Sequence, residues 1–159
     1  MDPAAVGPSW TVHAVGRVSS GRTELVDDDW GDVESSIVLL PPYGADSVLG
    51  LAEFSHLEVV YLFDRVDPGS VQSGARVPRG NAAWPKVGIF AQRAKFRPNR
   101  IGLTTCRLLS VEGTTLRVQG LDAVDGTPIL DIKPFMAEFG PRGEVRQPRW
   151  SHELMARYF

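Results

Sequence analysis

The sequence predicts a mainly β protein, built as a sheet-rich barrel or sandwich, and three observations lead to this fold class. The apolar runs are short and rich in β-branched and aromatic residues, as is typical of strands. Turn residues recur between them, with 16 Gly and 12 Pro among 159 residues. Little of the chain has the periodicity of an amphipathic helix. We therefore expect many short strands joined by loops and turns.

The first part of the chain predicts an arm, a strand and a loop. Residues 1–10 contain no apolar run and are expected to form a flexible N-terminal arm. Residues 11–18 alternate partly between apolar and polar side chains, which suits a first strand. Residues 19–34 are polar and acidic, so they predict a loop, in which Trp30 stands out as a large aromatic residue.

The middle of the chain contains the strongest strand signal. Residues 37–40 form a short apolar run that two prolines end, and residues 46–54 suit one short helix with Asp46 as its N-cap. Residues 57–63 are β-branched, aromatic and mostly apolar, as in a strand covered on both faces. Residues 67–86 are rich in Gly and Pro and predict a long loop. Loops of that length in a compact domain are usually functional or disordered.

Further short strands and one helix complete the prediction. The strands are expected at residues 87–91, 101–110, 115–121 and 129–132. The second and third of them are expected to form a hairpin around Glu112 and Gly113. Ser151 is a candidate N-cap for a short C-terminal helix. No repeat or linker divides the chain, so we expect a single domain over residues 11–159.

Composition and length predict one cytoplasmic globular domain. A chain of 159 residues with 43% hydrophobic and 23% charged residues falls within the range of ordinary globular domains. No apolar stretch is long enough to span a bilayer, and we expect no secretory signal. Cys106 is the single cysteine, so no disulfide can form within the chain, and a reducing cytoplasm is the expected location.

The basic residues are concentrated in one segment, although the net charge is −2. Residues 68–111 contain eight Lys and Arg residues and no Asp or Glu. Such a separation of charge predicts a positive surface that attracts anions. In the alternative interpretation, some of these arginines pair with acidic side chains of the 19–34 loop.

Several common catalytic motifs are absent from the sequence. It contains no Gly-x-Gly-x-x-Gly dinucleotide fingerprint, no Gly-x-x-x-x-Gly-Lys-Ser/Thr phosphate loop and no Gly-x-Ser-x-Gly nucleophile elbow. Three scattered histidines and one cysteine do not predict a zinc site, which needs three or four ligands. Cys106 lies within a predicted strand, so we expect a buried core residue rather than a nucleophile.

Two segments carry candidate binding residues. Residues 87–103 end a strand and continue into a basic turn, whose arginines can bind carboxylate or phosphate in a bidentate manner. Residues 120–134 place three aspartates near the ends of two predicted strands. A carboxylate there can accept hydrogen bonds from ribose hydroxyls or bind a cationic ligand. Each segment also has a structural interpretation. The first can be a basic surface turn, and the second an Asp-initiated turn with an ion pair to Lys133.

The motifs of these segments occur in a specific order along the chain. They are Gly-Leu-Ala-Glu-Phe-Ser-His at 50–56, Arg-Gly-Asn at 79–81, Gly-Ile-Phe-Ala-Gln-Arg at 88–93, Phe-Arg-Pro-Asn-Arg-Ile-Gly at 96–102, Leu-Asp at 121–122, and Asp-Gly-Thr-Pro-Ile-Leu-Asp-Ile-Lys-Pro at 125–134. From about Val12 to Pro134 the chain thereby resembles the TsaA-like family, whose best-known members are TrmO-type tRNA methyltransferases. The resemblance implies a small β-barrel with long loops and one or two short helices. It also implies S-adenosyl-L-methionine as cofactor, a homodimer, and N6-methylation of threonylcarbamoyladenosine next to the anticodon.

The resemblance also implies a set of site residues. The cofactor-binding positions are Asp64, Arg65, Arg93, Leu103, Ala123, Val124, Asp125 and Gly126. Arg93 would pair with the cofactor carboxylate, and Asp125 is the candidate general base. The candidate substrate-binding residues are Trp30, Arg79, Arg97 and Asn99. Trp30 either stacks on an adenine or substrate ring or caps the core, and no metal is expected.

The chain departs from the TrmO pattern in three places. The acidic segment 27–34 stands where the family has Pro-Arg-Gln, and Asp64 and Arg65 stand where it has His-Gln. We also expect the extra C-terminal domain of many bacterial members to be absent. The methyl acceptor is therefore open between tRNA, which we rank first, and a small molecule. A third hypothesis is a non-catalytic S-adenosyl-L-methionine-binding regulatory module.

Overall fold

Six antiparallel strands close into a barrel in the computed structural model, which describes residues 6–159. The strands of the chain are β1 (Gly16–Ser19), β2 (Glu34–Leu39), β3 (His56–Leu62), β4 (Ala75–Arg76), β5 (Val87–Gly88), β6 (Ile101–Glu112), β7 (Thr115–Gln119) and β8 (Pro128–Pro134). The barrel order is β1-β2-β7-β6-β3-β8, with β8 paired again to β1, while β4 and β5 form a separate ribbon. The predicted mainly β class is confirmed, and the barrel is the architecture adopted.

The longest loops lie together at one end of the barrel, which we call the loop end. They are the first loop (20–33) between β1 and β2, the long connection (63–100) between β3 and β6, and the aspartate loop (120–127) between β7 and β8. The antiparallel order places the β6–β7 turn at the opposite end, together with residues 40–55. Strand β8 also ends at that opposite end. The loop end is therefore where most of the motif residues meet.

The barrel interior is the hydrophobic core. On β3, Leu57, Val59 and Tyr61 point inward, are at most 1% exposed, and alternate with half-buried residues. This alternation follows from the two-residue period of a strand. The core also contains Val18, Ile37, Cys106, Leu116, Val118, Leu121 and Ile129. The strand predicted over 57–63 is confirmed to within one residue at each end, but its outer face is half-buried rather than covered.

Most of the second half of the chain folds as the sequence predicts. The predicted hairpin is confirmed as β6 and β7, and the last strand lies within β8. The predicted loop 67–86 is confirmed as largely irregular. Single-turn 3-10 helices punctuate the loops at Ala45–Val48, Leu51–Glu53, Pro68–Ser70, Pro78–Gly80, Ile89–Ala91, Pro98–Arg100 and Ala137–Phe139.

Two predictions near the N-terminus are wrong in detail. The first strand begins at Gly16 rather than at residue 11, because Gly16 is the first residue paired in the ladders with β2 and β8. The single helix predicted over 46–54 is instead two 3-10 turns separated by Gly50, whose φ of 84° cannot continue a right-handed helix. Asp46 lies inside the first turn, and its side chain makes no cap hydrogen bond.

Two further predictions also need correction. The strand predicted over 87–91 ends at Gly88, and the chain turns into a 3-10 helix that buries Ile89. The C-terminal helix α1 (Arg149–Met155) has Pro148 rather than Ser151 as its N-cap residue. The Ser151 hydroxyl lies one turn inside the helix and donates to the Pro148 carbonyl. Residues 1–5 of the predicted N-terminal arm lie outside the described residues, and residues 6–10 form no helix or strand.

Gly102 on β6 provides the space that the Tyr61 ring occupies inside the barrel. A Cβ atom at this glycine would lie 2.5 Å from two carbons of the Tyr61 ring and 3.0 Å from the Phe63 ring. The Tyr61 ring also packs edge to face on the Phe63 ring, with ring centroids 5.3 Å apart, so it cannot move away from Gly102 freely. The close approach therefore leaves no room for any side chain at position 102.

Substitution of this glycine is expected to destabilise the barrel. The variant Gly102→Ala should lower the free energy of unfolding by about 1–3 kcal/mol, because the added methyl group overpacks a rigid site. Gly74→Ala is the matched control, since a Cβ there meets no atom within 4 Å. Urea unfolding of both variants measures the difference. Equal stabilities would contradict the close packing of Gly102 and Tyr61.

Candidate functional site

One carboxylate at the loop end accepts hydrogen bonds from three hydroxyl groups. Tyr61 donates to Asp122 Oδ1 at 2.9 Å, and Thr104 donates to the same oxygen. Tyr158 donates to the other oxygen, Oδ2. The three donors belong to β3, to β6 and to the C-terminal segment, so Asp122 joins three parts of the chain. Hydrogen bonds to a charged acceptor are roughly twice as strong as neutral ones.

Burial makes both tyrosines of this cluster dependable donors. Burial raises the pKa of Tyr61 and of Tyr158 above the ordinary value of 10.0, and the nearby charge of Asp122 raises it further. Both phenols therefore stay protonated throughout the neutral pH range. Because a buried phenol needs a hydrogen-bond partner, the cluster also satisfies the one polar group that β3 brings into the core.

The aspartate loop packs against the first loop directly after Asp122. Ala123 and Val124 are buried, at 4% and 6% exposure, while Asp125 is half-buried. Asp125 Oδ1 accepts a hydrogen bond from the Ser20 backbone nitrogen at 3.0 Å. The Asp125 backbone nitrogen donates to the Arg22 carbonyl at 2.9 Å. The two loops are thus joined by both backbone and side-chain hydrogen bonds.

Arg65 bridges the same two loops from the end of β3. Its Nη1 donates to the Thr23 carbonyl at 3.0 Å, and its Nη2 donates to the Asp125 carbonyl at 3.0 Å. Gly126 follows with a φ of 81°, a conformation that favours glycine. Its backbone nitrogen donates to the carbonyl oxygen of Val18 on β1 at 2.8 Å. Asp64 is exposed beside Arg65. The structure therefore brings the predicted positions at the end of β3 and in the aspartate loop together.

Arg93 and Leu103 form a second contact, on the outer surface of the barrel. Arg93 Nη2 donates to the Leu103 carbonyl at 2.6 Å. Leu103 lies opposite Val60 in the β3–β6 ladder, and its side chain points outward with 46% of its surface exposed. Ile101 and Phe90 are also exposed, at 42% and 77%. A guanidinium group therefore lies beside a strand that exposes apolar side chains.

Trp30 is a buried residue of the first loop. It is 3% exposed, and its indole nitrogen donates to the Asp27 carbonyl at 3.1 Å. The guanidinium carbon of Arg22 lies 3.6 Å from the indole centroid and covers one face of the ring. Of the two sequence-based interpretations, the structure agrees with a tryptophan that caps the core. In this arrangement 3% of the Trp30 surface is exposed to solvent, and Arg22 lies over one face of the ring.

The acidic part of the first loop pairs with two of the basic residues. Arg79 donates to both carboxylate oxygens of Asp28, at 3.0 and 3.2 Å. Asp27 lies 3.8 Å from Arg79 and 3.8 Å from Lys95. The alternative interpretation of the basic segment is therefore correct for Arg79 and Lys95. Glu34, in contrast, pairs with Arg117 on the neighbouring strand.

Other basic side chains of the long connection form hydrogen bonds with backbone carbonyl oxygens rather than ion pairs with carboxylates. Arg97 and Arg100 each donate to a backbone carbonyl, at 2.6 and 2.7 Å respectively. The guanidinium of Arg76 lies 5.4 Å from the centre of the Phe96 ring, within range of a cation–π contact. A hydrogen bond to a neutral carbonyl leaves the positive charge of the arginine in place. The long connection therefore keeps most of its positive charge.

Several loop residues adopt a backbone conformation that side chains disfavour. Among residues 6–159, positive φ values occur at four non-glycine positions: Asp29 (65°), Arg79 (52°), Asn99 (63°) and Arg100 (50°). Such residues are uncommon, and they concentrate at ligand sites where the surrounding structure holds them in place. All four belong to loops at the loop end. Arg97 is half-buried and Asn99 is exposed beside this strained turn.

Three residues of the polar cluster were not predicted, and the three aspartates expected to lie together do not form one group. The missed residues are Tyr61, Thr104 and Tyr158. Asp131 pairs with Lys133 at 2.8 Å on the surface, as the structural alternative predicts, and does not join Asp122. A signal for Tyr61 was present, because the alternation of β3 places this tyrosine on the inward face and a buried phenol needs a partner. No comparable signal marked Tyr158.

Three further features of residues 6–159 concern metal binding, membrane spanning and the single cysteine. Within residues 6–159, no group of three His, Cys, Asp or Glu side chains is placed to hold a metal ion. In the same part of the chain, no helix is both long and apolar enough to cross a membrane. Cys106 is 2% exposed and belongs to the barrel core, as the sequence predicts.

The chain is similar in sequence to known proteins over the barrel and its loops. Residues 28–140 match the family model of the tRNA-methyltransferase O N-terminal domain. The chain is 40% identical, over 102 residues or 64% of its length, to a human protein named tRNA (adenine(37)-N6)-methyltransferase. It is 42% identical, over 110 residues or 69% of its length, to a Methanothermobacter thermautotrophicus protein named a probable S-adenosyl-L-methionine-binding protein.

The chain is also similar in structure to a solved protein. It superimposes on a crystal structure of TrmO from Pseudomonas aeruginosa with a TM-score of 0.70 and 28% sequence identity. The match covers 87% of this chain and 62% of that one. The chain spans 23% of the length of the human relative and 75% of the archaeal one.

The thiol of Cys106 is expected to be unreactive in the folded protein. Burial, together with the smaller effect of the nearby Asp122 charge, raises the pKa of Cys106 from 9.0 to about 12. At about pH 8 an alkylating reagent should therefore label the unfolded chain and spare the folded one. Because the folded state favours the protonated thiol, its contribution to stability is complete below the unfolded pKa of 9.0 and is lost as pH rises towards about 12. Rapid labelling of the native protein would contradict the burial.

Proposed function

The chain belongs to the family of tRNA-methyltransferase O N-terminal domains, and we propose that it methylates N6 of threonylcarbamoyladenosine next to the anticodon of tRNA. The proposed methyl donor is S-adenosyl-L-methionine. Relatives whose names include tRNA (adenine(37)-N6)-methyltransferase and S-adenosyl-L-methionine-binding protein support both parts of the proposal. Because the chain spans 23% of the human relative's length, its own loop end must contain groups suited to this chemistry.

The observation that carries the proposal is the meeting of three loops at one end of the barrel. Arg65 joins the first loop to the aspartate loop through two hydrogen bonds of 3.0 Å. Arg93, from the long connection, is hydrogen-bonded to Leu103 on the adjoining strand. The positions that the family resemblance assigns to the cofactor run from Asp64 to Gly126 in the chain, and they belong to loops and strands that adjoin at the loop end.

The chemistry of these groups suits S-adenosyl-L-methionine. The exposed guanidinium of Arg93 is suited to the cofactor's carboxylate, and the carboxylates of Asp64 and Asp125 to its ammonium and ribose hydroxyls. Leu103 and Ile101 leave large apolar surface exposed, which is suited to an adenine ring. When bound, this cofactor supplies an electrophilic methyl group on a cationic sulfur. The chain's own contribution is chiefly to position and orient the acceptor nitrogen.

Asp125 is the proposed general base. N6 of the acceptor carries one proton, which must leave when the new nitrogen–carbon bond forms. Asp125 Oδ1 accepts from the Ser20 backbone nitrogen, and among residues 6–159 no donor reaches Oδ2. This supports the proposal that the second oxygen takes the proton of N6. Arg65 fixes the backbone of the same residue, so the carboxylate has a defined position.

The basic long connection is the proposed tRNA-binding surface. Arg76, Arg97 and Arg100 keep their positive charge because they contact an aromatic ring or neutral carbonyls rather than carboxylates. Asn99 is exposed at the tip of the same basic turn. A surface of this kind attracts a phosphate backbone without reading its sequence. Arg97 and Asn99 therefore remain proposed substrate contacts.

We further propose a cytoplasmic homodimer. The Phe90 side chain is 77% exposed and is not assigned to the proposed cofactor site, so it is the proposed apolar contact between two copies. Sedimentation equilibrium tests the dimer. The cytoplasmic location follows from the proposed tRNA substrate and from the single, buried cysteine.

A small-molecule acceptor is the second candidate function. One observation favours it. Asp27 and Asp28 form ion pairs with Arg79 and Lys95, so the first loop lowers the net positive charge at one side of the site. Arg79 is consequently engaged within the chain and needs to exchange partners before it can contact a phosphate. In this case the protein would bind the cofactor but not tRNA.

The purified protein is expected to transfer labelled methyl from S-adenosyl-L-methionine to total tRNA, with the label in the modified adenosine next to the anticodon. A tRNA transcript without modifications serves as control and should remain unlabelled. Because binding rests on phosphate contacts, raising salt from about 50 to 200 mM should weaken tRNA binding by about fiftyfold, as for roughly four contacts. Cofactor binding without tRNA binding would favour the small-molecule acceptor.

Substitution of Arg93 tests the proposed cofactor site directly. Arg93→Ala is expected to abolish binding of S-adenosyl-L-methionine, because the variant loses the guanidinium that would pair with the carboxylate. Arg142→Ala removes an exposed arginine that lies outside the segment matched by the family model and should bind normally. Isothermal titration calorimetry measures both variants. Unchanged affinity in Arg93→Ala would remove this residue from the site.

A further inference from the structure

The C-terminal segment returns along the barrel to the loop end. Strand β8 ends at the opposite end of the barrel, yet Tyr158 lies beside Asp122 at the loop end. Residues 149–159, which we call the C-terminal strap, contain α1 and the last residues of the chain. They lie outside the segment 28–140 that matches the family model. The strap therefore reaches the loop end from outside the segment that matches the family model.

The strap pairs with the backbone of the first loop. The Asp29 nitrogen donates to the Arg157 carbonyl at 2.8 Å, and the Trp30 nitrogen donates to the Tyr158 carbonyl at 2.7 Å. A Cβ at Gly31 would lie 2.6 Å from the carbonyl carbon of Phe159, so the two backbones are in direct contact. These bonds satisfy backbone groups that would otherwise need other partners.

The strap also contacts the other two loops at the loop end. The Tyr158 hydroxyl donates to Asp122 Oδ2 in the aspartate loop, while Oδ1 is taken by Tyr61 and Thr104. From the long connection, the Trp84 indole nitrogen donates to Glu153 of α1 at 2.9 Å. One segment of the chain therefore contacts each of the three loops that carry the proposed site.

We propose that Tyr158 is a positioning residue, whose hydroxyl holds Asp122 and thereby sets the position of residues 123–126 for cofactor binding. The inference rests on the proposed cofactor site. Tyr158 acts at two points at once: its hydroxyl fixes the aspartate loop and its carbonyl fixes the first loop. Loss of the hydroxyl leaves Asp122 Oδ2 without this donor and frees the aspartate loop to move relative to the first loop.

Binding of S-adenosyl-L-methionine to Tyr158→Phe tests the proposal. The dissociation constant is expected to rise about tenfold or more, the size of effect typical of losing a hydrogen bond to a charged group. Tyr43→Phe is the matched control, because Tyr43 is 42% exposed and lies outside the loop end. Leu116→Ala, a core truncation in β7, controls for loss of stability alone. Calorimetry is done at a temperature where every variant is fully folded.

Two results of this titration would overturn the proposal. Wild-type affinity in Tyr158→Phe would show that the hydroxyl does not position the site. Equal weakening in Tyr158→Phe and Leu116→Ala would assign the effect to stability. The expected result is weakening confined to Tyr158→Phe.

Hydrogen exchange separates failure of this inference from failure of the proposed function. If the wild-type protein binds no S-adenosyl-L-methionine, the proposed function fails, but the strap can still be examined. The amides of Asp29, Trp30 and Asp125 should then exchange about tenfold faster in Tyr158→Phe, with the Val118 amide in β7 unchanged. Unchanged exchange at all three loop amides would overturn the positioning role in that case as well.

Discussion

The carboxylate of Asp122 is the constraint on which the loop end depends. A half-buried charge without partners would be costly, and here two tyrosines and one threonine supply hydroxyl donors to it. Those donors come from β3, from β6 and from the C-terminal strap, so satisfying one charge aligns three parts of the chain. Asp122 lies near the start of the aspartate loop, so its hydrogen bonds also fix the position of the loop residues that follow it. The interior of the barrel and its binding surface are thus connected through a single polar cluster.

The arginines at the loop end stabilise the loops, because they donate hydrogen bonds to backbone carbonyls or pack on an aromatic ring. Arg65 and Arg93 hold carbonyl oxygens of neighbouring segments, and Arg22 covers the indole of Trp30. A guanidinium offers several donors in one plane, so it can fix a loop and still present charge to a ligand. Arg79 differs, because a carboxylate of the first loop neutralises it. The acidic loop therefore changes where the positive surface is available rather than removing it.

The parts of the fold that the sequence predicted well are those governed by local pattern. The β-branched run of β3 and the β6–β7 hairpin follow from alternation and turn residues, which depend on near neighbours in the chain. The error at Ile89 falls where a distant contact decides the outcome, because this residue leaves the strand to enter the core. The error over 46–54 has a local cause, the positive φ of Gly50, which side-chain pattern alone does not reveal. The family resemblance identified positions of the candidate site, but it contained no information on Tyr61, Thr104 or Tyr158 as partners of Asp122.

The sequence by itself determined the strand-rich class, the family and the separation of acidic from basic residues along the chain. These properties depend on residue order and composition alone. Only the tertiary structure decided that Trp30 is buried, that Arg79 is paired with Asp28, and that Tyr158 reaches Asp122. Each of those contacts joins residues far apart in the chain, and such a contact forms only after barrel closure has brought the loops to one end. The physical reason is that hydrogen bonding and burial depend on distance in space, which residue order constrains only between near neighbours.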